Sequence, residues 1–185
     1  LQHPGTTFLR RAQHAVLAPM TPTETLTVLR DTAAQGGVEI PDGVLTDAAV
    51  LTRGYPFLIQ LLGYHLFERA NRRDQPVSHD DLEAVTPDVL KTLGDLVHQP
   101  ALLHLPVAEL EYLEAMAEIQ DGQQAVPSAA IAQHLGKRVQ QVSMVRQKLI
   151  DRELIYSPRR GVLNFVIPHM GHHLNQRATR DTGWD

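Results

Sequence analysis

Apolar residues recur along most of this chain at helical spacing. Leu26 and Leu29 follow the run Thr21-Pro22-Thr23-Glu24. Thr21 can cap the exposed amide of Glu24, the Glu24 carboxylate can reach back, and Pro22 suits the first helical position. This predicts a helix to about Gln35, with Val28 at the edge of its buried face and Gly36-Gly37 as its stop. Pro41-Asp42-Gly43 opens a second helix, to about Thr52, ended by Gly54. Residues 56–71 carry Phe57, Leu58, Leu61, Leu62, His65 and Leu66 on one broad face. Ser78-His79-Asp80-Asp81 caps the next helix. Pro87 falls near the first turn of a further one, running to about His98. Residues 1–98 thus read as four or five short helices around one small core, with Ala15-Val16-Leu17 as the stub of a strand.

Gln99-Pro100 to Leu105-Pro106 reads as an apolar linker, after which the pattern changes. Residues 106–118 are helical, with Leu110, Leu113 and Met116 inward. Asp121 to Gln124 form a turn. A short helix over Ala129–Leu135 ends at Gly136, and a longer one covers Val139–Arg152. Leu154-Ile155-Tyr156 and Val162 to Ile167 alternate as strands do, on either side of the turn Ser157-Pro158-Arg159-Arg160-Gly161. A short helix follows from Pro168, and Arg177–Asp185 reads as a disordered tail. Helix, short helix, Gly turn, long helix and basic-tipped hairpin is the order of a winged helix-turn-helix. The predicted fold is mainly α: a preceding stub at 1–20, a small helical bundle at 21–105 and a winged helix at 106–176.

Composition narrows the chemistry. Aromatic residues are 5% of the 185, so the core must be aliphatic, and the absence of cysteine excludes a disulfide scaffold or a zinc finger. No apolar run approaches the roughly 18 residues a spanning helix needs, and the N-terminus lacks a signal-peptide pattern. Both suggest a cytoplasmic protein without a membrane partner. The chain starts at Leu1 rather than Met, which suggests a fragment or a processed chain. The net charge is −4, against a uniformly basic surface. Residues 137–160, however, carry Lys137, Arg138, Arg146, Lys148, Arg152, Arg159 and Arg160 against Asp151 and Glu153, a local balance of +5.

Helical phase assigns roles within that basic stretch. With Val142 inward, Val139, Val145, Leu149 and Ile150 share its face. Lys137, Gln140, Gln141, Met144, Gln147 and Lys148 point away. Glutamine can pair with adenine edges, and lysine with phosphate or guanine. Arg159 and Arg160 at the wing tip suit phosphate or minor-groove contact. The candidate nucleic-acid set is therefore Lys137, Arg138, Gln140, Gln141, Gln147, Lys148, Arg159 and Arg160, with double-stranded DNA as partner. Arg146 falls toward the core side and is expected to pair with a carboxylate. Winged helices also make protein contacts, and Met144 on the outer face points that way.

Thr52-Arg53-Gly54-Tyr55-Pro56-Phe57-Leu58-Ile59-Gln60-Leu61-Leu62-Gly63 resembles a stretch in the lid of bacterial AAA+-like ATPases related to the archaeal and origin-recognition type. Met20-Thr21-Pro22-Thr23-Glu24 is similar to the entry to that lid. Glu111 to Ala117, Ile131-Ala132 to Leu135-Gly136, Val142-Ser143 to Leu149-Ile150 and Gly161 to His169 resemble the C-terminal winged helix of the same proteins. The resemblance covers roughly residues 15–176 and implies an ATPase core before them. No GxxxxGK[ST] loop is present here. Gly136-Lys137-Arg138 lacks both the earlier Gly and the Ser or Thr that holds Mg²⁺. The chain is therefore expected to be non-catalytic and without a cofactor of its own, ATP and Mg²⁺ belonging to the parent protein. The resemblance implies that Arg53 and Tyr55 meet nucleotide only once that ATPase core is present. The bland alternative for Arg53 is a surface cation at a helix C-terminus. Two further readings stand beside this one: a protein-interaction module of a signalling ATPase of the STAND type, and a stand-alone transcription regulator.

His169, His172 and His173 form H-x-x-H-H. On a helix, His169 and His173 would share a face at a spacing able to hold a transition metal, but surface or capping roles are the simpler reading and no metal site is assigned. Asp80, Asp81 and Glu83 at a helix start are explained by the helix dipole.

Overall fold

The first helix starts where the capping residues place it. Thr21 Oγ1 accepts the Glu24 N–H at 3.3 Å, and the Glu24 carboxylate accepts the Thr21 N–H at 2.7 Å. In the computed structural model, which describes residues 19–73, 75–120 and 125–181, this opens α1 (Pro22–Gln35), followed by α2 (Asp42–Thr52) and α3 (Pro56–Arg73). The turn between α2 and α3 holds two consecutive left-handed residues, Arg53 (φ 48°) and Gly54 (φ 70°). Gly54 O accepts the Met20 N–H at 2.9 Å, and a Cβ at Gly54 would collide with the Met20 backbone. Glycine is therefore required there on two counts.

Ser78 caps α4 (His79–Leu93) in a box closed by Asp81, with Ser78 Oγ accepting at 3.2 Å and Asp81 Oδ2 at 3.0 Å. The two helices expected on either side of Pro87 are one, with Pro87 inside it. The proline is exposed and so is Glu83, whose carbonyl loses its helical donor; water can serve in its place. The rod does not stop at Leu93. A π-helical turn (Gly94–His98) carries it into α5 (Gln99–Leu102), with Pro100 in the first turn. Its buried side chains are Asp81, Leu82, Val85, Val89, Leu93, His98 and Leu102, and Gly94 is buried among them. The step from Leu93 to His98 is five residues, and the wider turn absorbs it. Half of the expected linker is therefore helix, leaving a short turn in which His104 is left-handed (φ 63°).

After that turn come α6 (Val107–Gln120), β1 (Val126–Pro127), α7 (Ser128–His134), α8 (Val139–Asp151), β2 (Ile155–Arg159), β3 (Val162–Phe165) and α9 (Met170–Asp181). The strands form an antiparallel sheet of order β1-β3-β2, with Val126 opposite Leu163 and Ile155 opposite Phe165. β1 is an addition to the expected hairpin; two residues are too few to show a period. α9 is longer than expected, so Arg177 to Asp181 are helical rather than a disordered tail. The expected strand stub at 15–17, the turn at 121–124 and residues 182–185 lie outside the described residues.

The fold is mainly α: a small helical bundle followed by a winged helix-turn-helix with a β-hairpin wing. Two hydrophobic clusters fill it. The first joins Leu29, Leu45, Leu58, Leu62, Leu66, Val85 and Val89. The second joins Leu113, Met116, Ile131, Val142, Leu149, Ile155, Leu163, Phe165 and Leu174. Leu93 belongs to the first and Leu102 to the second, so one rod serves both. Among the described residues, no helix is long and apolar enough to cross a membrane.

Candidate nucleic-acid interface

The turn between α7 and α8 is built on Gly136. Its φ of 63° is left-handed, and the Lys137 N–H returns to the Ala132 carbonyl at 2.9 Å, the six-to-one bond of a Schellman ending. Two residues on, Arg138 takes the extended N-cap conformation, and Gln141 Oε1 accepts its N–H at 2.7 Å. α8 then buries Val142 and Leu149, with Val145 and Ile150 partly covered. Val139, expected on the same face, is 39% exposed: it stands in the first turn, beyond the reach of the core.

The wing is short and pinned. Gly161 (φ 79°) makes its tip, and its carbonyl accepts the Ser128 N–H at 2.9 Å, tying the tip to the start of α7. The pairing of β2 with β3 is irregular between Tyr156 and Arg159. The Ser157 hydroxyl is shared across that gap, 2.7 Å from the Arg159 carbonyl and 3.0 Å from that of Val162.

Lys137, Arg138, Gln140, Gln141, Gln147, Lys148, Arg159 and Arg160 are all exposed. Three have partners within the chain. Gln141 caps α8, Gln147 Nε2 donates to Asp151 at 2.9 Å, and Lys137 Nζ lies 3.8 Å from Glu111. Arg138, Lys148, Arg159 and Arg160 make no ion pair among the described residues. Met144 stands in the middle of this face, 72% exposed.

Two nearby expectations change. Arg146 is half-buried but pairs with no carboxylate among the described residues; its charge acts on Tyr112 instead. The buried carboxylate of this half, Glu109, is met by Arg152, whose Nε lies 2.9 Å from Oε2. That pair joins residues 43 positions apart on α6 and at the end of α8, a relation that no local pattern announces. Likewise Asp81 is more than a dipole partner: it is 4% exposed and bound by Arg69 and by Arg73, the latter at 2.9 Å. The Arg69 contact and the Ser78 cap hold its pKa down at about 2, against the pull of burial.

Arg53 is exposed at the end of α2, with Tyr55 half-buried beside it at the start of α3. His169 precedes α9 in a left-handed conformation (φ 61°), so it does not share a helical face with His173 as expected. Its Nε2 lies 2.8 Å from the Leu51 carbonyl. Among the described residues, no group of three or more His, Asp or Glu is placed to hold a metal ion. A cavity of about 500 Å³ opens between α1, α2 and α3, lined by Val28, Leu29, Leu45, Ile59 and Phe67 among others. Its polar side chains are Thr32, Gln35, Gln60 and Tyr64, with no charged one.

Residues 95–174 match a family described as a domain of unknown function (DUF8462). No curated protein matches the chain. Among solved structures, the chain is similar to a threonine-to-valine variant of Thermotoga maritima RuvB, at 22% identity over 86% of this chain and 50% of that one, with a TM-score of 0.37. A lysine-to-arginine mutant of Thermotoga maritima RuvB matches at 21% identity over the same shares, also at 0.37. The Thermotoga maritima RuvB Holliday junction branch migration motor matches at 20% identity over 91% of this chain and 51% of that one, at 0.36. The chain spans about half the length of those structures.

Proposed function

We propose that this chain is the non-catalytic lid and winged helix of an AAA+-like ATP-binding protein, its winged helix binding double-stranded DNA. The lid comprises residues 21–105 and the winged helix residues 106–176. The observation that carries the reading is the surface of α8 and the wing. Arg138 at the N-cap of α8, Lys148 on the helix and Arg159 and Arg160 at the tip are exposed and lack ion-pair partners among the described residues. A duplex laid on that face receives α8 in its major groove and the wing on its backbone. Lys148, Arg159 and Arg160 meet phosphate. Gln140 offers an amide to base edges, and Gln141 and Gln147 keep part of theirs. Arg53 and Tyr55 contact nucleotide only with the ATPase core in place.

The test is duplex binding across a salt series, beside a variant with Lys148, Arg159 and Arg160 changed to Ala. Each phosphate contact contributes about −0.9 to the log–log slope. A steep slope that flattens by roughly that amount per lost contact is the expected result. No binding at low salt removes the reading. One observation favours a second function, a protein-interaction module: Met144 is 72% exposed at the centre of the same face. A large apolar side chain there suits a protein partner.

A further inference from the structure

The two hydrophobic cores meet at a cluster of histidines. His98, in the π-helical turn, is 1% exposed, and its Nε2 donates to the Pro168 carbonyl at 2.8 Å. Its Nδ1 is buried and has no hydrogen-bond partner among the described residues. Across the joint, the His173 ring of α9 lies 4.9 Å from that of His98, tilted by 55°. The approach depends on Gly94, where a Cβ would stand 3.0 Å from His173 Nδ1. A second bond runs from His169 to the end of α2, Nε2 to the Leu51 carbonyl at 2.8 Å. Residues from the winged-helix half are thereby tied at two points to the bundle half and its rod.

His98 has no place for a second proton among the described residues. A second proton on His98 would sit on Nδ1, where the described residues offer no acceptor, beside another imidazole. The charged groups that face His98 are His173 of α9 and His169 and His172 just before and within it. Those acting on His169 are Arg53 at the end of α2 and His172. None of these groups, taken from the described residues, is a carboxylate. On the rod itself, Asp95 Oδ2 lies 2.7 Å from Lys91 Nζ, and α5 has no ionisable residue.

We propose that His98, packed on His173, and His169 form an acid-released clamp, which holds the helical bundle on the winged helix while the imidazoles of His98 and His169 are neutral and opens when those two take up protons. Burial, opposed only by the Pro168 bond, pushes the His98 pKa down to about 4, and burial lowers that of His169 as well. A histidine whose pKa is lower in the docked state binds its proton more weakly there. Docking is thus at full strength above about 6.5 and is lost as the pH falls toward 4. For His98 alone, the odds of the open form rise about tenfold between pH 7.5 and 5.5.

The chain has no cysteine, so a dye pair can be placed on the full chain at Ala34→Cys and Met144→Cys, exposed positions in the two halves. Single-molecule energy transfer then counts open molecules. The expected result is a roughly tenfold rise in their odds from pH 7.5 to 5.5 with the far-ultraviolet dichroism unchanged. His98→Gln, which can still donate to Pro168 but cannot titrate, flattens that rise. An equal rise in His98→Gln, no rise in the parent chain, or loss of helix along with it overturns the clamp. Should His98→Gln not fold, side-chain NMR of the parent chain decides the matter: His98 titrating near 4 supports it, and a midpoint at or above 6.5 sinks it.

Discussion

Among the described residues, each half of the molecule buries one carboxylate near the start of a helix, and the two are satisfied very differently. Asp81 in the bundle accepts from two arginines and closes the cap on Ser78, so both its oxygens are engaged. Glu109 in the winged helix has Arg152 at 2.9 Å, yet its Oε2 is not on a hydrogen-bond line from any donor among the described residues. One turn along the same helix, Tyr112 is fully buried with its hydroxyl also unpartnered among the described residues. Burial pushes that phenol up to about 12, with Arg146 opposing. The bundle thus keeps a charge because the charge organises a helix start. The winged helix keeps polar groups that its packing does not fully serve, and each such group costs stability.

The widest separation of the two is expected from Asp81→Ala. It removes the cap and leaves Arg69 and Arg73 without their anion, for a loss of about 3 kcal/mol in urea unfolding. Both arginines reach water, so a larger loss is not expected. Its pH signature is as specific. The lowered pKa means that this contribution is present above about 3.8 and is lost as the pH falls through about 2. A loss below about 1 kcal/mol would make the anchor ornamental and erase the contrast.

Arg152→Ala tests the other side. It strands a Glu109 that is 2% exposed, at a cost of about 2 kcal/mol, and adding Glu109→Gln recovers most of it. If the double variant is no better than the single, the arginine acts through its packing rather than its charge. The smallest effect belongs to Tyr112→Phe. Removing an unserved hydroxyl should leave stability unchanged or raise it by up to about 1 kcal/mol in the same assay. A loss of more than that would reveal a partner for the hydroxyl and narrow the difference between the halves.

These contrasts also mark what was legible in the chain. Local signals carried far: Thr21-Pro22-Thr23-Glu24, Ser78 with Asp81 and the order of elements after Pro106 were each written within a few residues, and each appears in the fold. What failed was non-local or atypical. Pro87 suggested a break because its missing N–H is a local fact, whereas the burial of Val85 and Val89 that carries the helix through is a tertiary one. Arg69 lies 12 residues from Asp81 and Arg152 lies 43 from Glu109, so neither pair has a spacing to read. At the candidate interface, helical phase placed Lys137, Lys148 and the glutamines outward, and all are exposed. It did not reveal that Gln141 and Gln147 have partners of their own. His98 gave no signal at all, since its meaning rests on residues 70 and more positions away.

The five-residue step between Leu93 and His98 bears on how this chain is compared with others. An extra residue accommodated in a widened turn changes the count along a helix without changing the side it presents. The rod of this protein therefore holds one more position than an uninterrupted helix of the same reach. Any alignment to such a helix must open a gap of one between those two residues. Without it, the buried positions on one side of the step fall one residue out of register with their counterparts.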